Sequence, residues 1–477
     1  MKTPLLFLVS AAPVLAGLPA VGPNYTPPDQ AAPAAYRDAT DASSLAPAPV
    51  LAADWWRAFD DPALNDLEAR ALAANQDLQA AVARVEQARA VAGVARSAYL
   101  PAIALNPSYQ RGESSATVDN VAPVTTTTTH RLALDLSWEL DLFGRVRRQR
   151  ESALAELDAA GATLAGIQLT LTAEVAATHF TLRALDRELA VVTDTVRVRR
   201  DALQLVQSRY NRGNADDLAR ARAETELATT EADAADLAIR RASAQNALAV
   251  LLGEAAPTVE IAASSPWPTT IPLVPPGLPG DLLTRRPDIA AAERTLAAAS
   301  ARIGVAQAAF FPAISLTGGA GYASADFNDL TKADSRLWSF GPSIYLPIFQ
   351  GGRNQSNLAR SRADYDEAAA QYRQSVLVAL REVQDALTAT RLLADQAEAQ
   401  ARAVASARRG ADLSQKRYDA GFVSYLEVVD AQRTALAVER AAAQLAGRRL
   451  VTSVALIKAL GGGWQVPTGE TVVSVNP

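Results

Sequence analysis

Few side chains in this sequence are suited to making or breaking bonds, and the ones that stand out are charges at helical spacing. After Gly421 the chain reads FVSYLEVVDAQR, which puts Leu426, Asp430 and Arg433 at i, i+4 and i+7, on one helix face. Earlier in the chain, after Gly213, the residues Asp216, Asp217 and Arg220 have the same geometry. Carboxylates and guanidiniums so placed can hold ions or pair with one another, and taken alone they read first as a solvated hairpin end. There are no cysteines and only two histidines, His130 and His179, so thiolate chemistry and a histidine-rich metal site are not expected. No phosphate loop, nucleophile elbow or acid–base pair is found. The expectation is a protein that is not an enzyme and uses no cofactor or metal.

The elements that must position these charges announce themselves by repetition. RYNRG at 209–213 returns as RYDAG at 417–421, YLPAIAL at 99–105 as FFPAISL at 310–316, LFGRVR at 142–147 as IFQGGR at 348–353, and AVLLG at 249–253 as IKALG at 457–461. The order of features is the same in both halves, so the chain is an internal duplication. The division expected is a signal peptide at 1–20, an extended segment at 21–62, a first repeat at 63–253, a Pro-rich linker at 254–280, a second repeat at 281–461 and a tail at 462–477. Each repeat should hold an alanine-rich helix (about 63–98 and 281–309), two strands (about 102–142 and 313–348), a very long helix (about 145–209 and 353–417) and a shorter one (about 215–252 and 423–460). The Pro-rich stretches at 23–53 and 264–280 read as extended rather than packed.

The long helices carry a coiled-coil signature. Leu171, Val175, Thr178, Leu182, Leu185, Leu189, Val192 and Val196 alternate steps of four and three, and Leu203, Val206 and Tyr210 keep the register. Leu358, Tyr365, Tyr372, Val376, Leu380, Val383 and Leu387 repeat the theme. At 1.5 Å per residue such a helix is roughly 97 Å long, far beyond an ordinary globular helix. Gly213 and Gly421 fall where the rhythm stops, as helix-ending glycines should, and both then mark tips of helical hairpins.

The strands alternate. In RLALDLSWELDLF (131–143), Leu132, Leu134, Leu136, Trp138, Leu140 and Leu142 share one face, while Arg131, Asp135, Ser137, Glu139 and Asp141 mostly share the other. SFGPSIYLPIF (339–349) is a weaker copy. Apolar-out, polar-in alternation of this length marks a membrane β-strand around a wet lumen, and the polar stretches 112–129 and 323–336 read as solvent-facing loops. A soluble sandwich accounts for alternation equally well. Four strands cannot close a barrel, and open edges cannot exist in lipid, so a membrane barrel requires several copies in cyclic symmetry.

Composition agrees with a folded, exported protein. Hydrophobic residues are 49% and charged residues 20%, and the net charge of −5 argues against a nucleic-acid partner. The opening MKTPLLFLVSAAPVLAGLPA reads as a secretory signal with cleavage after Ala16 or Ala20, and no later run is long and apolar enough for a membrane helix.

VGPNYTPP (21–28), WWRAFDDPALNDL (55–67), VPPGLPGDLLTRRPDIAAAE (274–293) and YLEVVDAQR (425–433) resemble recurrent phrases of the outer-membrane factor family, the TolC-like channels of tripartite efflux pumps, in the branch serving proton-driven RND exporters. The resemblance covers nearly the whole chain. It implies an α+β membrane protein, a homotrimer with a twelve-stranded β-barrel, four strands per chain, continued by an α-helical coiled-coil barrel across the periplasm. It implies a closable iris at the hairpin tips, with Leu426 and Asp430 at the constriction and Arg433 and Tyr418 tying neighbouring helices together, and less specifically Asp216, Asp217 and Arg220 in the same locking role. It implies as partners a periplasmic adaptor docking near Gly213 and Gly421, an inner-membrane RND transporter and outer-membrane lipid. Many relatives carry a lipidated cysteine just before the VGP phrase; here Leu18 or Pro19 occupies that slot, so lipid anchoring of that kind is not expected. Two other readings predict different behaviour: an outer-membrane duct for type I protein secretion, and a non-conducting periplasmic coiled-coil spacer.

Overall fold

A computed structural model describes residues 20–29, 33–37, 51–115, 117, 125–263, 267, 271–272 and 274–465. The signal-peptide reading and the Leu18/Pro19 position lie outside the described residues. In chain order the main elements are α1 (Pro62–Ala74), α2 (Gln76–Ser97), β1 (Ala102–Glu113), β2 (Thr126–Leu140), α3 (Arg145–Asn211), α4 (Asp217–Leu251), α5 (Pro287–Ala308), β3 (Ala313–Ser324), β4 (Arg336–Tyr345), α6 (Arg353–Asp419) and α7 (Tyr425–Ala459). The duplication is close: α3 and α6 have 67 residues each, α4 and α7 have 35, and α2 and α5 have 22.

The alanine-rich helix expected as one piece at the head of each repeat is two. Asn75 leaves the helical region at φ −64°, ψ 127°, and its carboxamide oxygen caps the following helix by accepting the Leu78 amide at 2.9 Å. Arg286 breaks the second copy after the short turn Leu282–Arg285. It precedes Pro287, whose ring disfavours helical backbone at the residue before it.

The chain divides into two compact units. The first comprises residues 1–29, 84–161 and 291–373 and contains the sheet. Its four strands are antiparallel in the order β1-β2-β3-β4. The register aligns Ile103, Leu136, Gly318 and Phe340 in one row and Leu105, Leu134, Ala320 and Trp338 in the next. Because side chains alternate, the opposite face carries Asn106, Arg131, Asp135, Ser137, Glu139, Thr317 and Ser339. Trp338, Phe340 and Ile344 are 81%, 61% and 66% exposed, so a large apolar surface faces outward.

Three sequence expectations about this sheet need correction. Thr126–Thr129 and Gly112–Glu113, read as loop, belong to the β1–β2 ladder, where Thr126 to Thr129 pair in turn with Glu113, Gly112, Arg111 and Gln110, as β-branched threonines favour. The last strand starts earlier than read and ends at Tyr345, leaving Ile348 and Phe349 outside it. Trp138 shares the apolar face but is buried, and its indole N–H donates to the Tyr99 carbonyl at 3.1 Å.

The helices of this unit pack against one another through small residues. Ala92, Ala95 and Ala153 form one cluster, and Ala155, Ala297, Ala298 and Tyr25 form another. The VGPN phrase is pinned rather than loose. The buried Arg148 guanidinium donates to the Val21 and Gly22 carbonyls and to Asn24 Oδ1, and a Cβ on Gly22 would lie 2.4 Å from Gly304 Cα.

The second unit comprises residues 30–83, 162–290 and 374–477. Its main core gathers Trp55, Trp56, Phe59, Leu64, Leu67, Phe180, Leu248, Leu450 and Ile457. Leu51 and the linker residues Ile261, Trp267, Ile271 and Val274 pack against that core, which overturns the expectation that the Pro-rich stretches are unpacked: their spaced large apolar residues gain more from burial than an extended chain would keep. The heptad positions Leu171, Val175, Leu182, Val192 and Val206 of α3, and Val376 and Val383 of α6, are buried as the coiled-coil spacing predicts. No described helix is long and apolar enough to cross a membrane, which says nothing of a β-barrel.

Candidate gate at the helical hairpin tips

Both hairpins of the second unit turn by the same device. At the first tip the Gly213 amide donates to the Tyr210 carbonyl and the Asn214 amide to the Arg209 carbonyl, at 2.9 and 2.8 Å. At the second, the Gly421 amide donates to the Tyr418 carbonyl and the Phe422 amide to the Arg417 carbonyl, at 3.0 and 2.9 Å. This is the Schellman closure, and it needs a left-handed residue; φ is +72° at Gly213 and +80° at Gly421.

The sequence-predicted residues around these tips fall into two groups. Asp216, Asp217 and Arg220 make contacts within their own hairpin. Asp216 caps α4 by accepting the Ala219 amide at 2.8 Å. Asp217 pairs with Arg220 at 2.7 Å, and the Arg220 guanidinium also lies over the Tyr210 ring. Tyr418, by contrast, connects hairpins: it packs against Tyr425 at the head of α7, with centroids 5.6 Å apart, and takes the Arg209 guanidinium of α3 over its ring at 4.6 Å. Tyr425, Val428 and Val429 join Val206 and Ala223 in a small core beneath the tips.

Leu426 is 42% exposed, and Asp430 is exposed with a carboxylate that makes no hydrogen bond or ion pair among the described residues. Arg433 behaves differently. Its Nε donates to Glu226 Oε1 of α4 at 2.8 Å, and its Nη2 also pairs with that oxygen. This bond and the Glu226 charge hold the Arg433 guanidinium above its ordinary pKa. The other carboxylate oxygen, Glu226 Oε2, takes Arg199 Nη1 of α3 at 2.9 Å. Burial pulls the Arg199 guanidinium below its ordinary value despite Glu226.

Sequence reasoning did not find Glu226 or Arg199. Nor did it find the rung above them, where Arg440 of α7 donates to Glu188 Oε1 of α3 at 2.9 Å and to Asp233 Oδ2 of α4 at 2.8 Å. One signal was available: Leu426, Arg433, Arg440 and Gly447 stand at heptad spacing along α7. Gly447 completes that stripe, since a Cβ there would lie 2.4 Å from Ala184 Cβ of α3.

In the first unit, the polar face of the sheet is itself ordered by charge: Asn106 Nδ2 donates to Asp135 Oδ2 at 2.7 Å, and Arg131 pairs with Asp135 at 3.3 Å. A sheet apolar on one side and hydrogen-bonded and charged on the other, in a chain whose remaining mass is long coiled hairpins, defines a channel-type outer-membrane architecture.

The comparisons with known proteins give that class its family. The outer membrane efflux protein family matches residues 67–254 and 278–462, and the chain belongs to it. The chain is similar to the toluene efflux pump outer membrane protein TtgF of Pseudomonas putida, 35% identical over 423 residues, covering 89% of this chain and 88% of the relative. It is also similar to the cation efflux system protein CusC of Escherichia coli, 34% identical over 415 residues, covering 87% and 89%. Among solved structures it resembles the outer-membrane channel OprN with a TM-score of 0.87 at 34% identity, covering 93% of this chain and 99% of that one. It resembles the open state of the MtrE outer membrane channel of Neisseria gonorrhoeae with a TM-score of 0.82 at 30% identity, covering 94% and 99%. The protein is therefore an outer-membrane efflux component with the α+β fold of these channels, and its family transports rather than catalyses.

Proposed function

We infer that this protein is the passive exit duct of a tripartite RND-type pump, conducting small molecules from a periplasmic pump complex to the exterior. The observation that carries this reading is the sheet: among the described residues β1 and β4 are open edges, and most of the apolar face, including Ile103, Leu105, Leu134, Trp338, Phe340 and Ile344, is exposed. In a bilayer both edges must be paired. Three copies joined β4 to β1 make a closed barrel of twelve strands, with Trp338, Phe340 and Ile344 toward lipid and Asp135, Arg131 and Asn106 toward water. The hairpins of three copies likewise come together as a ring that narrows at their tips.

At a threefold axis, Leu426 supplies a dry ring and Asp430 a ring of carboxylates that attracts cations and repels anions. Periplasmic adaptor hairpins dock near Gly213 and Gly421 and draw the tips apart, with energy from an inner-membrane RND transporter. Relatives named for toluene, solvent, cation and antibiotic efflux span chemistries too different for one duct lining to select, which favours selection by the pump. The test is co-expression with an RND pump and adaptor in a host lacking its own outer-membrane channel. Restored resistance to small toxic compounds, and an unheated oligomer of three times the chain mass in detergent, are expected. A detergent-free monomer, or no gain in resistance with a working pump, contradicts the reading.

A further inference from the structure

The apolar face of the sheet ends in two arginines. On β1 the alternation that puts Ile103, Leu105 and Tyr109 on that face puts Arg111 there too, opposite Thr128. On β4 Arg336 lies opposite Tyr322, which lies opposite Leu132, so it shares the face with Trp338 and Phe340. Both arginines are exposed, and neither guanidinium has a hydrogen bond or ion pair among the described residues. The nearby charges are accounted for differently. Arg131 points to the polar face and pairs with Asp135, Lys332 pairs with Asp329, and Glu113, two residues beyond Arg111, accepts the Thr126 hydroxyl at 3.5 Å. Beside the two arginines stands an aromatic stack: Tyr109 against His130, with centroids 4.9 Å apart, and His130 against Phe327 at 5.6 Å. From Leu140 to His130 the apolar face of β2 runs about 33 Å along the strand, or about 25 Å of height at a tilt of about 40°. That is one apolar band, with the aromatic stack and the arginines at the end remote from the helices.

We propose that Arg111 and Arg336 form a binding site for the phosphate-bearing headgroup of an outer-leaflet lipid; this rests on the duct reading above, which turns this face toward the bilayer. A cation on the lipid side of a barrel is costly at mid-depth and tolerated at the rim, where an anionic headgroup supplies the counter-charge that the chain does not. Arginine suits the task, because its planar fork grips two phosphate oxygens at once. The aromatic stack fixes the depth, since such rings settle at the headgroup level. Within one chain the two arginines stand on opposite edges of the sheet, three strand spacings or about 14 Å apart. In a barrel closed β4 to β1, Arg336 of one copy and Arg111 of the next lie on adjoining strands. The site is therefore complete only at the seam between copies, and a lipid held there ties the two copies together.

The experiment is native mass spectrometry of the full-length protein, purified in detergent and offered lipid A either with its phosphates or after their enzymatic removal. The proteins compared are wild type, the double variant Arg111→Ser with Arg336→Ser, and the conservative pair Arg111→Lys with Arg336→Lys. The wild-type oligomer is expected to retain the phosphorylated lipid several-fold better than the dephosphorylated one, at no more than one molecule per seam. The serine variant should lose that preference while still inserting into bilayers, and the lysine variant, which keeps the charge without the fork, should fall between. Undiminished preference in the serine variant would overturn the site. Equal retention of both lipids by wild type would show that the apolar band alone holds lipid, and would overturn it as well. Displacement of the bound lipid by millimolar inorganic phosphate would mark a site for free anions and overturn the lipid assignment. A wild-type protein that forms no oligomer and enters no bilayer would overturn the duct itself, a result distinct from the other three.

Discussion

Asn75 and Arg286 stand at equivalent points of the two repeats and hold the same partner with different chemistry. Asn75 Nδ2 donates to the Leu251 carbonyl and Arg286 Nη1 to the Ala459 carbonyl, both at 2.9 Å, in the last turns of α4 and α7. The match extends to their neighbours: a Cβ on Gly253 would lie 2.2 Å from the Ala74 carbonyl oxygen, and one on Gly461 2.0 Å from that of Arg285. Arg286 adds ion pairs to Asp288 and Glu382. Arg286→Ala should therefore destabilise the second unit by about 2–3 kcal/mol, against about 1–2 kcal/mol for Asn75→Ala, since charge-assisted bonds are the stronger ones. Thermal unfolding in detergent reads the order; a larger loss for Asn75→Ala would contradict it.

Glu68 is a carboxylic acid sealed in the core. It is 0% exposed, both carboxyl oxygens lack partners among the described residues, and burial pushes its pKa up to about 9. The folded protein keeps this proton over a range where the unfolded chain, with an ordinary glutamate, has released it. Stability is therefore lost as pH rises from about 4.5 to about 9, at up to about 1.4 kcal/mol per unit. Glu68→Gln should flatten that slope and raise the unfolding temperature more at pH 8 than at pH 5. An equal gain at both pH values would show that the carboxyl is ionised in the fold.

Gly447 sets how closely α7 approaches α3. Replacing it with leucine places a side chain where Ala184 already stands, so the helices must part and the Arg440–Glu188 bond beside them must stretch. The expected cost is about 1–3 kcal/mol from overpacking, read as a lower unfolding temperature. Gly410, whose surroundings are open, should accept alanine with no comparable loss.

The sequence exposed the architecture well because its signals are periodic or repeated. Heptads, strand alternation and paired glycine phrases placed α3, α4, α6 and α7 within about two residues, the usual ambiguity of helix ends. What it concealed is non-periodic. Glu226 and Arg433 are 207 residues apart, and nothing local to Glu226 distinguishes it from the solvated glutamates around it. The Pro-rich linker looked unpacked because proline dominates its composition, while its packing rests on four isolated residues, Ile261, Trp267, Ile271 and Val274. Trp138 followed the alternation and still ended buried, because the Tyr99 carbonyl offers its indole a partner.

The most direct measurement is single-channel conductance of the purified protein in planar lipid bilayers, wild type against a variant carrying both Leu426→Ala and Asp430→Ala. A gated outer-membrane duct narrowed at the α7 head should insert, conduct weakly with a preference for cations as wild type, and conduct several-fold more with that preference reduced in the variant. Failure to insert, or a wide and unselective conductance unchanged between the two proteins, would contradict it.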